Sequence, residues 1–516
     1  MRWPAQTKGG FRCVAAALFF VASAACATRP QYGGVLRVEL RASAVTLNPR
    51  RWKPGSVEYS TNQRLAGLIF DRLISLDNYG RFQPQLATDW SHDNAAERWQ
   101  FTLRQGVKFS DGALLVASDV VAALQPLLAT GTQIYAIPNG VAIQSANSAS
   151  DLLEQLASGA YFVYRSDEHG NLLGTGPFVL ETAASNAGRA EKSAVEGPVP
   201  QAQHMRFRFN ELCWGGRPFV DVIDVTLGVP PLRALLDSQL GKADIAEISE
   251  DTARRAQQSN VKLWASSPLT LYAVKFAAPA KSANDRTLRE ALSLSLDRNA
   301  MARVLLQKQA EAAPSFLPQW LSGYAFLFDM ESNLGRAKEL RAGLAPSSLG
   351  AAQPLRLLLD GNSELSKLIA ERVVVNARAA GLTLQIVSRS ATRPASSDSG
   401  ASKVDSEAQL VSWRYTSLSP REALENFAVI SHWEIPQGGV PADADARYAW
   451  EKHMTEQKNL LPLVLVPDFA ALDSRVRNWS PSPWGEWHLA DVWIEQADSD
   501  DNSRDAAAKR TAGAKP

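Results

Sequence analysis

Pro84-Gln-Leu-Ala-Thr-Asp-Trp90 is followed at residues 98–112 by Arg98-Trp-Gln-Phe-Thr-Leu-Arg-Gln-Gly-Val-Lys-Phe-Ser-Asp-Gly112, and at 118–121 by Ser118-Asp-Val-Val121. Trp99, Phe101 and Leu103 alternate with polar residues, the period of two that puts three large apolar side chains on one face of a strand. Gly106 breaks the pattern, and Ser110-Asp111-Gly112 supplies the chemistry of a tight turn. Beyond it, Val120, Val121, Leu124 and Leu127 fall on one face of a helix that Ser118 is placed to cap. Strand, turn and helix each carry an apolar face, so the stretch must pack against more of the chain.

The reading extends outward from there. Towards the N-terminus, Leu36-Arg-Val-Glu-Leu alternates as a first strand, and Leu65, Leu68, Ile69 and Leu73 predict a helix within 62–76. Towards the C-terminus, Pro230–Leu240 reads as a helix stopped by Gly241 and leading into a strand over 244–248. Leu355-Arg-Leu-Leu-Leu359, a helix capped by Ser363 with Leu365, Leu368, Ile369 and Val373 inward, Gly381 and Leu382-Thr-Leu-Gln-Ile386 form a strand–helix–strand crossover between parallel strands. Segments 180–203 and 388–407 are rich in small polar residues and read as solvated loops; the charged, Ala-rich tail after Ala497 reads as disordered. No internal repeat stands out and no glycine-rich phosphate loop is present, so α/β lobes without a nucleotide domain are expected.

The chain is 516 residues long, more than one hydrophobic core sustains, so two or three packed units are expected. Arg2, Lys8 and Arg12 precede the apolar run Cys13–Ala25, too short to span a bilayer and suited to an export signal over residues 1–27. Two readings of its end stay open: cleavage after Ala27, or cleavage before Cys26 with lipidation of that thiol and attachment to a membrane surface. Removing residues 1–25 takes away three basic groups and no acidic ones, so the net charge falls from +1 to −2, which gives no support to nucleic-acid binding. Cys213 is then alone in the body of the chain, excluding a disulfide framework. The six histidines are never spaced to place two ligands on one helix face, and no Gly-x-Ser-x-Gly elbow occurs. Neither a metal site nor a catalytic residue is assigned.

Several separated segments, in order, resemble the family 5 extracellular solute-binding proteins, the peptide and nickel class that serves ABC importers. Gly33-Gly-Val-Leu-Arg-Val with Thr46-Leu-Asn-Pro49 is similar to the family's opening strand and its Thr-Leu-Asp-Pro turn, Asn48 replacing aspartate. The segments between Pro84 and Val121 resemble its signature almost residue for residue. Gly174-Thr-Gly-Pro-Phe178, Trp214-Gly-Gly-Arg-Pro-Phe219, Leu240-Gly-Lys-Ala-Asp-Ile245, the run from Asp285 to Arg298, and Trp484-Gly-Glu-Trp-His with Asp491-Val-Trp493 follow in the family's order. The resemblance covers residues 33–495.

It implies an α/β, two-lobed periplasmic-binding-protein-like fold of class II type with an extra subdomain and a ligand cleft between the lobes. Lobe I is discontinuous, from 33–70, 172–262 and 468–495; the extra subdomain is 71–171; lobe II is 263–467; the tail is 496–516. The implied function is that of the substrate-binding protein of an ABC importer, a periplasmic or cell-envelope monomer without a cofactor, capturing a peptide-like solute and delivering it to an inner-membrane permease by hinge closure. Ser56-Val-Glu-Tyr-Ser60 and Ser412-Trp-Arg-Tyr415 match segments that contact ligand in the family. Glu58 is thereby assigned to a ligand ammonium, Arg414 to a carboxylate, and Tyr59, Trp413 and Tyr415 to stacking or hydrogen bonds; Trp413 as plain core, and Glu58 or Arg414 as solvated charges, are the competing readings. Gly174, Gly176 and Pro177 read as turn formers at the lobe junction. In one departure, peptide-binding relatives hold the ligand's amino end with an aspartate before a proline after the cleft tryptophan; here Ser419 precedes Pro420. A nickel chelate, a sugar or another solute therefore stays open as ligand. So do a secreted enzyme of unrecognised chemistry and a degenerate binder with an envelope or chaperone role.

Overall fold

The computed structural model describes residues 30–495 apart from 54–57, 94, 96, 146–148, 150, 182–202, 260, 331, 346–349, 351–352, 360–362, 389–406, 432 and 437–438. The export signal with Cys26, most of the two solvated loops and the tail lie outside the described residues.

The first strand, β1 (Val35–Leu40), follows its alternation: Leu36, Val38 and Leu40 are at most 1% exposed. The helix that follows, α1 (Tyr59–Ile69), buries Leu65, Leu68 and Ile69 but stops before Leu73. The reason is competition for a carbonyl. Ile69 O accepts from Gly176 N at 2.8 Å instead of from the next helical turn, and the chain leaves extended to pair Ile74–Leu76 with Phe82–Pro84. Gly174 and Gly176 are required here by close approach: a Cβ on Gly174 would stand 2.0 Å from Ile69 O, and one on Gly176 2.7 Å from it. Neither residue needs positive φ, so the turn-forming role expected of them is replaced by backbone packing.

The opening stretch forms a small antiparallel sheet of β2 (Ala87–His92), β3 (Arg98–Leu103), β4 (Gln133–Ile137) and β5 (Gly140–Gln144), in the order β2-β3-β5-β4. Trp99, Phe101 and Leu103 are buried on one face, against Val120 and Leu124 of α2 (Ala117–Leu124). That helix begins one residue before the expected cap: the Asp119 carboxylate accepts from Val116 N at 3.0 Å, and Ser118 is inside the first turn.

The chain then adds β6 (Phe178–Leu180), β7 (His204–Phe209), β8 (Val222–Leu227), α3 (Pro231–Gln239), β9 (Ile245–Ile248) and α4 (Glu250–Gln258). A long strand, β10 (Lys262–Phe276), leads into α5 (Ala283–Ser295), β11 (Leu355–Leu359), α6 (Glu364–Ala379), β12 (Leu384–Ser388) and β13 (Ala408–Arg414). Helices α7 (Pro420–Ser431) and α8 (Ala444–Glu456) precede a second long strand, β14 (Leu460–Leu472). Ten of these strands join in the order β6-β7-β8-β1-β9-β14-β10-β13-β11-β12, with Glu311–Ala312 pairing on β14. The crossover is as read: Ser363 Oγ accepts from Ser366 N, and β11 and β12 are parallel.

One core lies under β1, β7, β8 and α1, and another under β10, β11, β13, α5 and α6. Among the described strands, β10 and β14 run through both halves of the sheet. Their pairing is interrupted where Pro268 stands opposite Pro467, with register shifts on either side. Proline donates no ladder hydrogen bond, so facing prolines leave the strands weakest where the two halves meet.

Candidate functional site

The strand register locates the site. In the first half, β1, β8 and β9 are parallel, and the C-terminal end of β9 is held with Ile248 opposite Phe469 of β14. In the second half, β11, β12 and β13 are parallel, and the C-terminal end of β13 is held with Arg414 opposite Thr270, itself opposite Val466. Both sets of carboxyl ends thus point at residues 466–469 from opposite sides. Open α/β sheets receive ligands at the carboxyl ends of their parallel strands.

Charges from five distant segments meet there. Arg64 of α1, with a side chain 2% exposed, donates to Glu247 Oε1 at 2.8 Å, Asp468 Oδ2 at 2.5 Å and Gly485 O at 3.1 Å, and lies 4.3 Å from the Trp487 ring centroid. Arg414 pairs with Asp468 Oδ1. Burial alone pushes Asp468 towards protonation, but Arg414, Arg64 and Arg41 outweigh it and hold its pKa below the usual aspartate value. Arg41, directly after β1, gives its backbone N–H to Glu247 Oε2 at 3.1 Å, and the residue is open to solvent on one side. Glu250 at the start of α4 is pushed upward by burial, against the pull of Arg41.

A second group bridges the subdomain and the second half of the sheet. Ser419 Oγ donates to Asp151 Oδ2, Arg421 Nη2 stands 3.3 Å from Asp151 Oδ1, and Leu418 N donates to Ser158 Oγ at 3.2 Å. Ser419 also caps α7, accepting from Glu422 N at 3.1 Å. Burial raises Glu422 to about 7, with Asp151 and Glu425 adding to it and the Ser417 hydroxyl opposing. Arg72 pairs with Glu486 at 2.8 Å and donates to Gly159 O at 3.1 Å.

The five residues singled out in the sequence fall around these groups with different duties. Glu58 is half-buried at the N-terminal end of α1 and makes no capping bond with its side chain. Tyr59 is 4% exposed, edge-on to Trp52 at 5.4 Å, and its hydroxyl meets Thr416 across the gap. Trp413 is 8% exposed, with its ring 5.4 Å from Phe427, and Tyr415 donates its hydroxyl to Phe316 O; in this conformation both pack into the apolar cluster with Phe316 and Leu424. Arg414 faces the gap but is engaged by Asp468. Sequence reasoning missed Arg41, Arg64, Glu247, Glu250 and Asp468, although Glu247 and Asp468 each stand as a lone charge inside an apolar strand, where an unpaired charge is costly. No cluster of His, Cys, Asp and Glu suited to a metal ion occurs among the described residues, and no helix there is long and apolar enough to cross a membrane.

The model for bacterial extracellular solute-binding proteins, family 5 middle, matches residues 81–433. Among curated proteins, the nickel-binding periplasmic protein of Escherichia coli K12 is 24% identical over 370 residues, 64% of this chain and 67% of that protein. The periplasmic murein peptide-binding protein MppA of the same organism is 24% identical over 58% of this chain and 62% of its own length. The chain thus spans about two thirds or less of these relatives. Among solved structures, the ABC transporter substrate-binding protein CtaP of Listeria monocytogenes superposes with a TM-score of 0.71 at 16% identity, covering 90% of this chain and all of that one. The Escherichia coli murein tripeptide-binding protein MppA superposes at 0.70 and 18% identity, over 91% and 99%. With its family model matched over most of its length and its fold shared with these two-lobed proteins, the chain belongs to the bacterial extracellular solute-binding proteins of family 5.

Proposed function

We propose that this chain is the substrate-binding protein of an ABC importer, capturing a peptide or peptide-like solute outside the inner membrane and delivering it to the permease by hinge closure. The observation that carries the reading is the convergence of strand ends from both halves of the sheet on one charged gap, over a pair of long strands interrupted at Pro268 and Pro467. A gap walled by two lobes on a weak crossing is suited to enclosing a solute and releasing it, and nothing in that duty needs a bond to be made or broken. Glu58, Tyr59 and Arg414 line the gap in this reading; Trp413 and Tyr415 support its wall from behind. The protein acts as a monomer in the periplasm or on the cell envelope, without cofactor or nucleic acid.

The test is a thermal-shift screen of the mature chain against short peptides, amino-acid conjugates, oligosaccharides and nickel chelates. A saturating ligand at one hundred times its Kd adds about 2.7 kcal/mol to the stability of the folded state. The reading predicts a clear rise in Tm with peptides. A rise with another class alone replaces the solute and keeps the receptor, whereas turnover of any of these compounds contradicts the proposal.

A further inference from the structure

Three guanidinium groups approach the gap, and two are occupied. Arg64 is spread over Glu247, Asp468 and Gly485 O, and Arg414 is on Asp468. Arg41 is different: the residue is open to solvent on one side while surrounding protein partly desolvates its guanidinium, and the side chain makes no hydrogen bond or ion pair of its own among the described residues. Two of the carboxylates around it, Glu247 and Asp468, are already engaged. Glu247 Oε1 takes Arg64 and Oε2 takes the Arg41 backbone, while the two oxygens of Asp468 take Arg414 and Arg64. A guanidinium offers five N–H donors in a planar fork that matches a carboxylate with two parallel bonds. Arg41 presents that fork at the carboxyl end of β1, within the field of Tyr272 on the opposite half of the sheet. Glu250, which shares that field, lines a 150 Å³ cavity with Leu306, Leu365, Leu368 and Val466.

Resting on the receptor reading above, we infer that Arg41 receives a carboxylate of the bound solute, so that the site selects ligands with a free acid end. Arg414, assigned this role from the sequence, instead holds Asp468. The incoming carboxylate supplies the side-chain partner that Arg41 lacks. Glu250 is faced by Arg41, by Asp468 of β14, Tyr272 of β10, Asp251 and Arg254 of α4, and Glu364 of α6. Burial works against a charge on Glu250, which lessens its repulsion of an incoming carboxylate.

The experiment titrates the full mature chain with a random tripeptide mixture bearing free carboxyl ends and with the same mixture amidated. Wild type is predicted to bind the free acids at least tenfold more tightly. Arg41→Gln abolishes the preference, and Arg41→Lys keeps part of it. Equal binding of the two mixtures by wild type, or a preference retained in Arg41→Gln, overturns the inference and leaves the receptor reading standing. Binding of oligosaccharides alone also overturns it, and binding of no solute at all overturns the receptor reading beneath it.

Discussion

Asp468 is the lone charge in the thirteen-residue strand that crosses the molecule, and Arg64, its side chain 2% exposed, is the one charged residue of α1. Each makes sense only through the other: burying either alone carries a heavy desolvation cost, and together with Glu247 and Arg414 they satisfy one another. Arg64→Ala leaves three acceptors, Glu247 Oε1, Asp468 Oδ2 and Gly485 O, without this donor at once. It is predicted to destabilise the chain by about 3–5 kcal/mol, read as a lower denaturant midpoint with an unchanged slope. Arg41→Gln, by contrast, lowers the midpoint less, because its side chain makes no hydrogen bond or ion pair and acts on Glu247, Glu250 and Asp468 only through its field. Trp413→Ala opens a hole in an apolar cluster and costs about 3–5 kcal/mol, so it reports on folding before it reports on ligand. The charged cluster was not legible in the sequence: its members come from positions 41, 64, 247, 414 and 468, and periodicity within a window carries no information about which windows meet.

At the scale of elements, the sequence is informative wherever local chemistry and packing agree. The strand at 98–103 stands as read, and the capped crossover from Leu355 does so with its second strand at Leu384–Ser388, two residues later than the expected 382–386, because alternation, a serine cap and a glycine stop all point the same way. The first helix ran too far because Leu73 continues the apolar spacing, while the competing acceptor at Ile69 is taken by a glycine more than a hundred residues away. Helix α8 carries a similar non-local tie. Glu451, fully buried, accepts from Phe316 N at 2.7 Å, Leu317 N at 3.1 Å and Tyr324 Oη at 2.8 Å, and burial raises its pKa from 4.5 to about 7. The folded chain therefore holds a proton at Glu451 that the unfolded chain releases nearer 4.5. Its stabilising contribution is complete below about 4.5 and is lost as pH rises through 7. Glu451→Gln, which mimics the protonated acid, is predicted to flatten the stability profile between pH 5 and 8 and to gain on wild type at pH 8. Glu451→Ala strands the buried N–H groups and loses about 3 kcal/mol at pH 5, a deficit that narrows as pH rises and wild type loses the contribution of Glu451. Chemical denaturation across the range separates the two; a Gln variant that keeps the wild-type slope contradicts this account of Glu451.

For the molecule as a whole, the sequence conveyed the fold class and the family through short motifs in order, and the structural neighbours share that two-lobed architecture. What motifs do not convey is how the halves face one another. Here they are joined by Asp151 with Ser419 and Arg421, by Ser158 with Leu418, and by the Arg414–Asp468 pair over the interrupted strands. All are polar bonds that water can replace when the halves part, and a solute that contacts both halves favours the arrangement that encloses it. The most direct measurement is small-angle X-ray scattering of the mature chain, free and saturated with the solute that raises its Tm most. The radius of gyration is predicted to fall on binding, with the free chain more extended than the bridged arrangement described here. An unchanged radius at full occupancy contradicts hinge closure around a solute.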